Sequence, residues 1–140
     1  MTTGDRPIPQ PTVIVLNRDL MLGIVIGNTA KSLGYAVERV TKTPELVERL
    51  RNGRSEVSLA IIDMNMTIDW DQITGWIRSG QDLPPILGFG PHVDIEGRRS
   101  AKQAGLTRIV SNGEFHRDMA RLIRRYARPS PANETAAVLD

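Results

Sequence analysis

The residue best placed for chemistry in this chain of 140 residues is Asp63. It directly follows an unbroken apolar run, residues 59–62, that contains no glycine or proline. A run of this length is typical of a strand that is buried on both faces of a parallel sheet. A carboxylate at its end lies at the carboxyl edge of the sheet, where open α/β folds bind their ligands. Asp63 is therefore the main candidate for a functional side chain.

His92 is the second candidate, because its loop is predicted to reach the same sheet edge. It could donate a proton or a hydrogen bond to Asp63, although a single histidine in a loop is more often solvated. Asp69 and Asp71 are better explained as capping and first-turn residues of a helix than as metal ligands. His92 and His116 lack the spacing of a metal-binding pair, and no G-x-S-x-G nucleophile motif is present.

The composition narrows the class of protein. The chain has no cysteine, which excludes disulfides, thiolate metal sites and cysteine nucleophiles. Its 40% hydrophobic and 24% charged residues are ordinary for a soluble globular protein. We find no signal peptide and no apolar stretch close to the roughly 20 residues that a membrane-spanning helix needs. These features predict a cytoplasmic protein without a membrane segment.

Positive charge is concentrated late in the chain. Residues 98–128 hold nine Lys/Arg and two Asp/Glu, a local charge of +7, whereas the whole chain carries +2 and the remainder therefore −5. Such asymmetry can mark a binding surface, and a solvated helix face is the alternative. A protein partner is favoured over nucleic acid, since the sequence has no helix-turn-helix segment and no interleaved aromatic residues. The candidate partner surface consists of Arg117, Arg121, Arg124, Arg125 and Arg128.

The elements that position these residues alternate strictly along the chain. Predicted strands cover residues 12–16, 35–40, 57–63, 83–89 and 108–110, and a helix follows each of them. Alternation of this kind requires a parallel sheet with helices on both faces and right-handed crossovers. Five strands in about 115 residues fit the doubly wound, flavodoxin-like (βα)5 fold, an α/β fold with strand order 2-1-3-4-5. The domain spans residues 12–128, with a flexible tail at 1–11 and a disordered tail at 129–140.

Several local signals support the helix boundaries. Asn17 is a candidate cap for the first helix, and Gly34 is predicted to end it. Thr43 is a candidate cap for the second helix. Gly23 and Gly27 in the first helix have G-x-x-x-G spacing, but in a soluble α/β layer they more often allow the helix to approach the sheet closely than form a helix dimer.

Residues 12–128 resemble the receiver domain of two-component response regulators. The most specific match is the third strand, Leu-Ala-Ile-Ile-Asp-Met-Asn, in which Asp63 takes the place of the phospho-accepting aspartate. The resemblance implies that Asn65 occupies the position whose backbone carbonyl binds Mg²⁺. The segments at Gly34, at residues 83–86 and at Gly105 also match the pattern of the family.

The other positions of the family's phosphorylation site depart from its pattern. Two acidic residues are expected at the end of the first strand, where this chain has Asn17 and Arg18, and Asp19 falls one place late. The resemblance implies a serine or threonine at Gly90 and a lysine at Asn112. Of the five usual positions only the acceptor, Asp63, remains.

These departures predict a receiver whose phosphoryl chemistry is degenerate. Phosphoryl transfer needs a cation to offset the charge of the incoming oxygens, and the loss of two carboxylates weakens a Mg²⁺ site. Arg18 could instead pair with Asp63, or point into solvent. We therefore expect a stand-alone pseudo-receiver that is not an enzyme and acts through protein–protein interaction, with a histidine kinase or a downstream regulator as partner.

Two alternative functions stay open at this point. The chain could be a functional response regulator that is phosphorylated on Asp63. It could be a small α/β ligand-binding protein or enzyme that uses Asp63 and His92. The resemblance also suggests a homodimer formed through the fourth helix, fifth strand and fifth helix.

Overall fold

The computed structural model describes residues 10–53, 56–80 and 82–129. Strands and helices alternate through these residues, as the hydrophobic pattern predicted. In chain order the elements are β1 (Thr12–Leu16), α1 (Leu20–Ser32), β2 (Ala36–Val40), α2 (Thr43–Gly53), β3 (Val57–Asp63), α3 (Trp70–Ser79), β4 (Ile86–Gly90), α4 (Ile95–Ala104), β5 (Arg108–Ser111) and α5 (Asn112–Tyr126).

The five strands form one parallel sheet in the order β2-β1-β3-β4-β5. This confirms the predicted flavodoxin-like arrangement. Helices α1 and α5 pack together, as do α2 with α3 and α3 with α4, which places the helices in two layers. The chain reverses its direction of winding at β1, so the carboxyl ends of β1 and β3 form the switch point where such folds place ligands.

Alternation of side chains along the strands divides the core in two. On β1, Val13 and Val15 belong to the layer beneath α1 and α5, whereas Ile14 and Leu16 belong to the layer beneath α2, α3 and α4. Because successive side chains of a strand point to opposite faces, a strand covered on both sides must be apolar throughout. All seven residues of β3 are buried, which explains why the apolar run is unbroken.

Most predicted helix signals are observed, with one correction. Asp69 accepts a hydrogen bond from Gln72 N at 3.1 Å and caps α3, and Gly34 follows the end of α1 with a φ of 96°. The prediction that Asn17 caps α1 is wrong. Asp19 caps this helix, through its Oδ1, which accepts from Leu22 N at 3.2 Å, because α1 begins at Leu20 and not two residues earlier.

Two other boundaries differ from the sequence prediction. β4 begins at Ile86, three residues later than predicted, because Pro84 and Pro85 have no N–H to donate to a neighbouring strand. Thr43 is the first residue of α2, and its hydroxyl accepts from Asp69 N at 3.2 Å. Thr43 thus links the start of α2 to the start of α3.

Close packing of α1 against the end of the sheet explains the glycine at position 23. A Cβ atom added to Gly23 would lie 2.8 Å from Nε of Arg39 and 3.0 Å from Oδ1 of Asn17. Gly27 is buried too, but a Cβ there would meet only an ordinary contact, 3.8 Å from Val37. The predicted role in close packing therefore holds most strongly for Gly23.

The edge strand β2 is tied to α2 by an ion pair. Arg49 donates two hydrogen bonds to Glu38, at 2.6 and 2.9 Å. The hydrogen bonds that Arg49 donates to the Glu38 carboxylate are the main reason that the pKa of Arg49 is raised above its usual value.

The ends of the predicted domain lie at the limits of the described residues. The predicted tails, 1–11 and 129–140, fall outside them except for residues 10, 11 and 129. Among the residues that the structure describes, no helix is both long and apolar enough to cross a bilayer.

Candidate functional site

Asp63 ends β3 at the carboxyl edge of the sheet, and only 4% of it is exposed. Its Oδ1 accepts two hydrogen bonds at 2.8 Å, one from the backbone N–H of Asn65 and one from the Asn65 side-chain amide. The strand ends here because the chain turns sharply, and an aspartate at this point can accept from the N–H two residues on. The buried carboxylate is thus held in place by its own turn.

Asn65 connects this turn to the start of α5. Its Nδ2 donates to Oδ1 of Asn112 at 2.9 Å, and Nδ2 of Asn112 donates back to Oδ1 of Asn65 at 3.0 Å. The two amides form a reciprocal pair across 47 positions of sequence. The family resemblance implied a lysine at position 112. The neutral side chain of Asn112 is found there instead, and it is linked to Asp63 through Asn65.

The residue of β4 beside Asp63 is Phe89. The two Cα atoms are register partners in the parallel pairing of β3 with β4, so their side chains lie on the same face of the sheet, about 4.8 Å apart in strand spacing. The Phe89 ring is fully buried and stacks on Phe115 with a centroid distance of 3.9 Å. An apolar ring therefore lies on this face of β4, opposite Asp63.

The family resemblance implied a serine or threonine at Gly90, which is the last residue of β4. Gly90 faces the other layer, where an added Cβ would lie 2.9 Å from Cβ of Met64. A shift of one residue in a strand moves a side chain to the opposite face. Sequence reasoning therefore missed Phe89, whose alternation with Leu87 was the available signal.

Asn17, which directly follows β1, and Arg39 of the neighbouring strand β2 lie together beneath α1. Asn17 is fully buried, and its Oδ1 accepts from Nε of Arg39 at 2.7 Å. Its Nδ2 donates to the backbone carbonyl of Asp19 at 2.7 Å. Both ends of the amide are thus used inside the protein, and Arg39, which the sequence pattern did not single out, brings a positive charge to this position.

Arg18 points away from Asp63. Its side chain is exposed and borders a groove of about 600 Å³, which we call the Arg18 groove, lined by Arg18, residues 41–44 and residues 66–69. Among the described residues no ion pair joins Arg18 to Asp63. Of the two orientations left open by the sequence, the structure has the solvent-facing one.

These residues do not fit a Mg²⁺ site of the receiver type. Asp63 supplies one carboxylate, but Oδ1 of Asn17 is engaged by the Arg39 cation, and Oδ1 of Asp19 caps α1. Mg²⁺ prefers carboxylate oxygens and requires near-octahedral geometry. The Arg39 guanidinium, bonded to the side-chain oxygen of Asn17, opposes the binding of a cation there. In the described part of the chain, no three histidine or acidic side chains gather as a metal site would require.

His92 is exposed in the loop after β4. None of the hydrogen bonds found among the described residues joins it to Asp63, whose Oδ1 is bonded to Asn65 instead. The sequence had predicted that the two share a sheet edge, and both do follow or end strands at that edge.

The arginines of the last helix fall into two groups. Arg117, Arg121, Arg124 and Arg125 are exposed, and we call these four residues the basic surface. Asp118 pairs with two of them, at 3.1 Å from Arg117 and 2.9 Å from Arg121. Arg128 is different, because it makes contacts within the protein, donating to the backbone carbonyls of Asp82 and Leu83. Its place on the partner surface stays a prediction.

Comparison with known proteins shows the class to which this fold belongs. No family model and no curated protein matches the sequence. The structure is similar to the chemotaxis response regulator CheY4 of Vibrio cholerae, with a TM-score of 0.69 and 18% identity over 84% of this chain and 98% of that one. It is also similar to a response regulator from Thermotoga maritima, with a TM-score of 0.66 and 16% identity over 84% and 97% of the two chains.

A third similar structure is FixJ-N, with a TM-score of 0.68 and 13% identity over 85% of this chain and 94% of that one. The chain therefore has the receiver-domain fold of two-component response regulators. Identity this low shows the fold alone, so the chemistry of the site has to be argued from its own residues.

Proposed function

We propose that this chain is a receiver-like signalling module that works through protein–protein contacts and does not act as a Mg²⁺-dependent phosphorylation switch. The observation that carries this proposal is the environment of Asp63. Its hydrogen-bond partners are neutral groups of Asn65, and Asn65 is in turn paired with the neutral amide of Asn112. The β4 residue in register with it is the apolar Phe89.

Phosphoryl transfer to Asp63 would bring two negatively charged groups together. A transferring phosphoryl group carries charge on its oxygens, and catalysis depends mainly on cations and positioned donors that neutralise this charge. Here the Arg39 cation is already bonded to Asn17, one of the two positions where the family has acidic residues. The site therefore has a buried acceptor but lacks the charges that would make it reactive.

For the partner we propose a protein, either a histidine kinase or a downstream regulator of the same signalling type. The basic surface supports this. Arg124 and Arg125 are exposed, and the ion pairs of Asp118 involve the other two arginines of this surface. Exposed arginines are common in protein interfaces, where they pair with carboxylates of the partner. The same surface lies beside α4 and β5 and is our proposed site for pairing of two copies of the chain.

Treatment with acetyl phosphate and Mg²⁺, followed by intact-mass measurement, tests the proposal. We expect no stoichiometric gain of a phosphoryl group. A receiver domain with a complete acidic pair, threonine and lysine, treated in the same way, serves as the positive control. A gain of one phosphoryl group that disappears in Asp63→Asn would overturn the proposal and support the functional response regulator instead.

A further inference from the structure

The Arg18 groove is a concave feature of the carboxyl edge, and Asp63 is not among its lining residues. It lies between the β1–α1 and β2–α2 connections on one side and the β3–α3 connection on the other. At about 600 Å³ it falls within the range of about 300–1,000 Å³ that is typical of small-molecule sites. Asp63, Asn65 and Asn112 are not among its lining residues, so the groove does not depend on the chemistry proposed for Asp63.

Two cations line the groove without acidic partners. Arg18 and Lys42 are both exposed, and neither forms an ion pair with any residue that the structure describes. The one carboxylate in the lining, that of Asp69, already accepts a hydrogen bond from Gln72 N as the cap of α3. The formal charge of the lining is therefore +1, two cations against one carboxylate.

The remainder of the lining combines apolar surface with hydroxyl groups. Pro44, Met66 and Ile68 supply the apolar part, and Thr67 and Thr43 supply hydroxyls. The Thr43 oxygen accepts from Asp69 N at 3.2 Å, which leaves its O–H free to donate. Binding pockets for organic anions have this character, with a mostly apolar wall and a few polar groups that fix the orientation of the ligand.

We propose that the Arg18 groove binds a small molecule that carries a phosphate group on an apolar or aromatic body. Arg18 and Lys42 come from different loops, and a dianionic phosphate has enough oxygens to accept hydrogen bonds from both, whereas a carboxylate is satisfied by one guanidinium. The body of the ligand packs on Met66, Ile68 and Pro44. Charge selects the ligand, and the apolar wall adds to its affinity.

Titration of the whole chain with phenyl phosphate tests this site. We expect saturable shifts of the Met66 and Ile68 methyl signals in NMR spectra. Inorganic phosphate at matched ionic strength should bind more weakly because it lacks the apolar body, and benzyl alcohol should cause no saturable shift because it lacks the charge. The double variant Arg18→Gln/Lys42→Gln should bind phenyl phosphate about 10-fold more weakly than the unmodified chain.

Two control variants show whether binding depends on the groove itself. Arg51→Gln removes an exposed cation from the last turn of α2 and should leave binding unchanged. Asp63→Asn should also leave it unchanged, and this result is independent of whether Asp63 can be phosphorylated. The proposal is overturned if phenyl phosphate causes no saturable shift, if the double variant binds as tightly as the unmodified chain, or if Asp63→Asn abolishes binding.

Discussion

At the scale of single residues, the site is defined by what surrounds Asp63. The carboxylate is 4% exposed and takes its hydrogen bonds from Asn65. Burial of an ionised group is costly unless it is hydrogen-bonded or paired, so the two bonds to Oδ1 compensate for part of the lost hydration. Asp63 is thus retained in a hydrogen-bonded turn, a structural role that does not require phosphorylation.

Gly90 is required by the space beside β4. In Gly90→Ala the new methyl group would lie 2.9 Å from Cβ of Met64, an atom fixed to the backbone that cannot move aside freely. We expect a destabilisation of about 1–3 kcal/mol, as for other overpacked cores, measured by urea denaturation. The matched control is Gly75→Ala in α3, where an added Cβ meets no atom within 4 Å and alanine favours the helix by about 0.5–1 kcal/mol. Equal effects of the two changes would show that Met64 does not restrict position 90.

The Asn65–Asn112 pair contributes a smaller, measurable stability. Asn112→Ala removes the reciprocal hydrogen bonds of 2.9 and 3.0 Å and leaves the Asn65 amide to water. Because the pair is partly exposed, we expect the free energy of unfolding to fall by about 0.5–1 kcal/mol. Asn28→Ala, at an exposed position of α1, should be neutral or slightly stabilising, since alanine is the better helix former. A neutral Asn112→Ala would show that the amide pair adds no stability.

At the scale of elements, Arg128 connects the end of α5 to other segments of the protein. Its backbone N–H donates to the carbonyl of Ser58 at 2.9 Å, and its own carbonyl accepts from the Tyr35 hydroxyl at 3.1 Å. Its guanidinium donates to the backbone carbonyl of Asp82 at 3.1 Å and pairs with the carboxylate of that residue at 3.4 Å. Arg128 therefore joins the end of α5 to the start of β3 and to the segment before β4.

Truncation of this side chain should loosen the end of α5. We expect Arg128→Ala to lower the free energy of unfolding by about 1–2 kcal/mol, because the carbonyls of Asp82 and Leu83 lose a charged donor. Arg124→Ala removes an exposed arginine of the same helix and should change stability by less than about 0.5 kcal/mol. Chemical denaturation of both variants measures the difference. If they lose the same stability, Arg128 is only another surface arginine.

At the scale of the whole molecule, positive charge is concentrated in the last part of the fold. The segment 98–128, with its local charge of +7, contains most of α4 and all of β5 and α5 and carries the basic surface. Interactions between exposed charges weaken with salt, because the Debye length falls from about 10 Å at 0.1 M to about 3 Å at 1 M. Contacts made through this surface should therefore be sensitive to ionic strength.

A pair held by the basic surface depends on ion pairs between its arginines and carboxylates of the other copy, so we expect the pair to be detectable by light scattering at low salt and to weaken at high salt. The double variant Arg124→Glu/Arg125→Glu should remain monomeric at both. Lys31→Glu/Arg51→Glu makes the same change in net charge at exposed positions elsewhere and should still pair. A molar mass that is monomeric for the unmodified chain at every salt concentration would contradict pairing and leave a different protein as the partner of this surface.

The architecture could be predicted from the sequence alone, because the signals that specify it are local. An apolar run ending in Asp63 is sufficient to place a carboxylate at the sheet edge, and strict alternation of strands and helices requires a parallel sheet. Asp69 could be identified as a helix cap because capping involves residues only three positions apart, here Asp69 and Gln72.

The composition of the site, in contrast, depends on how distant segments pack together. Asn65 and Asn112 meet across 47 positions, a distance over which no local pattern carries information. Strand register placed Phe89 beside Asp63, and the register between two distant strands cannot be read from the spacing of residues along the chain. The direction of Arg18, towards a groove formed with two other loops, depended in the same way on how the loops pack and not on the residues next to it.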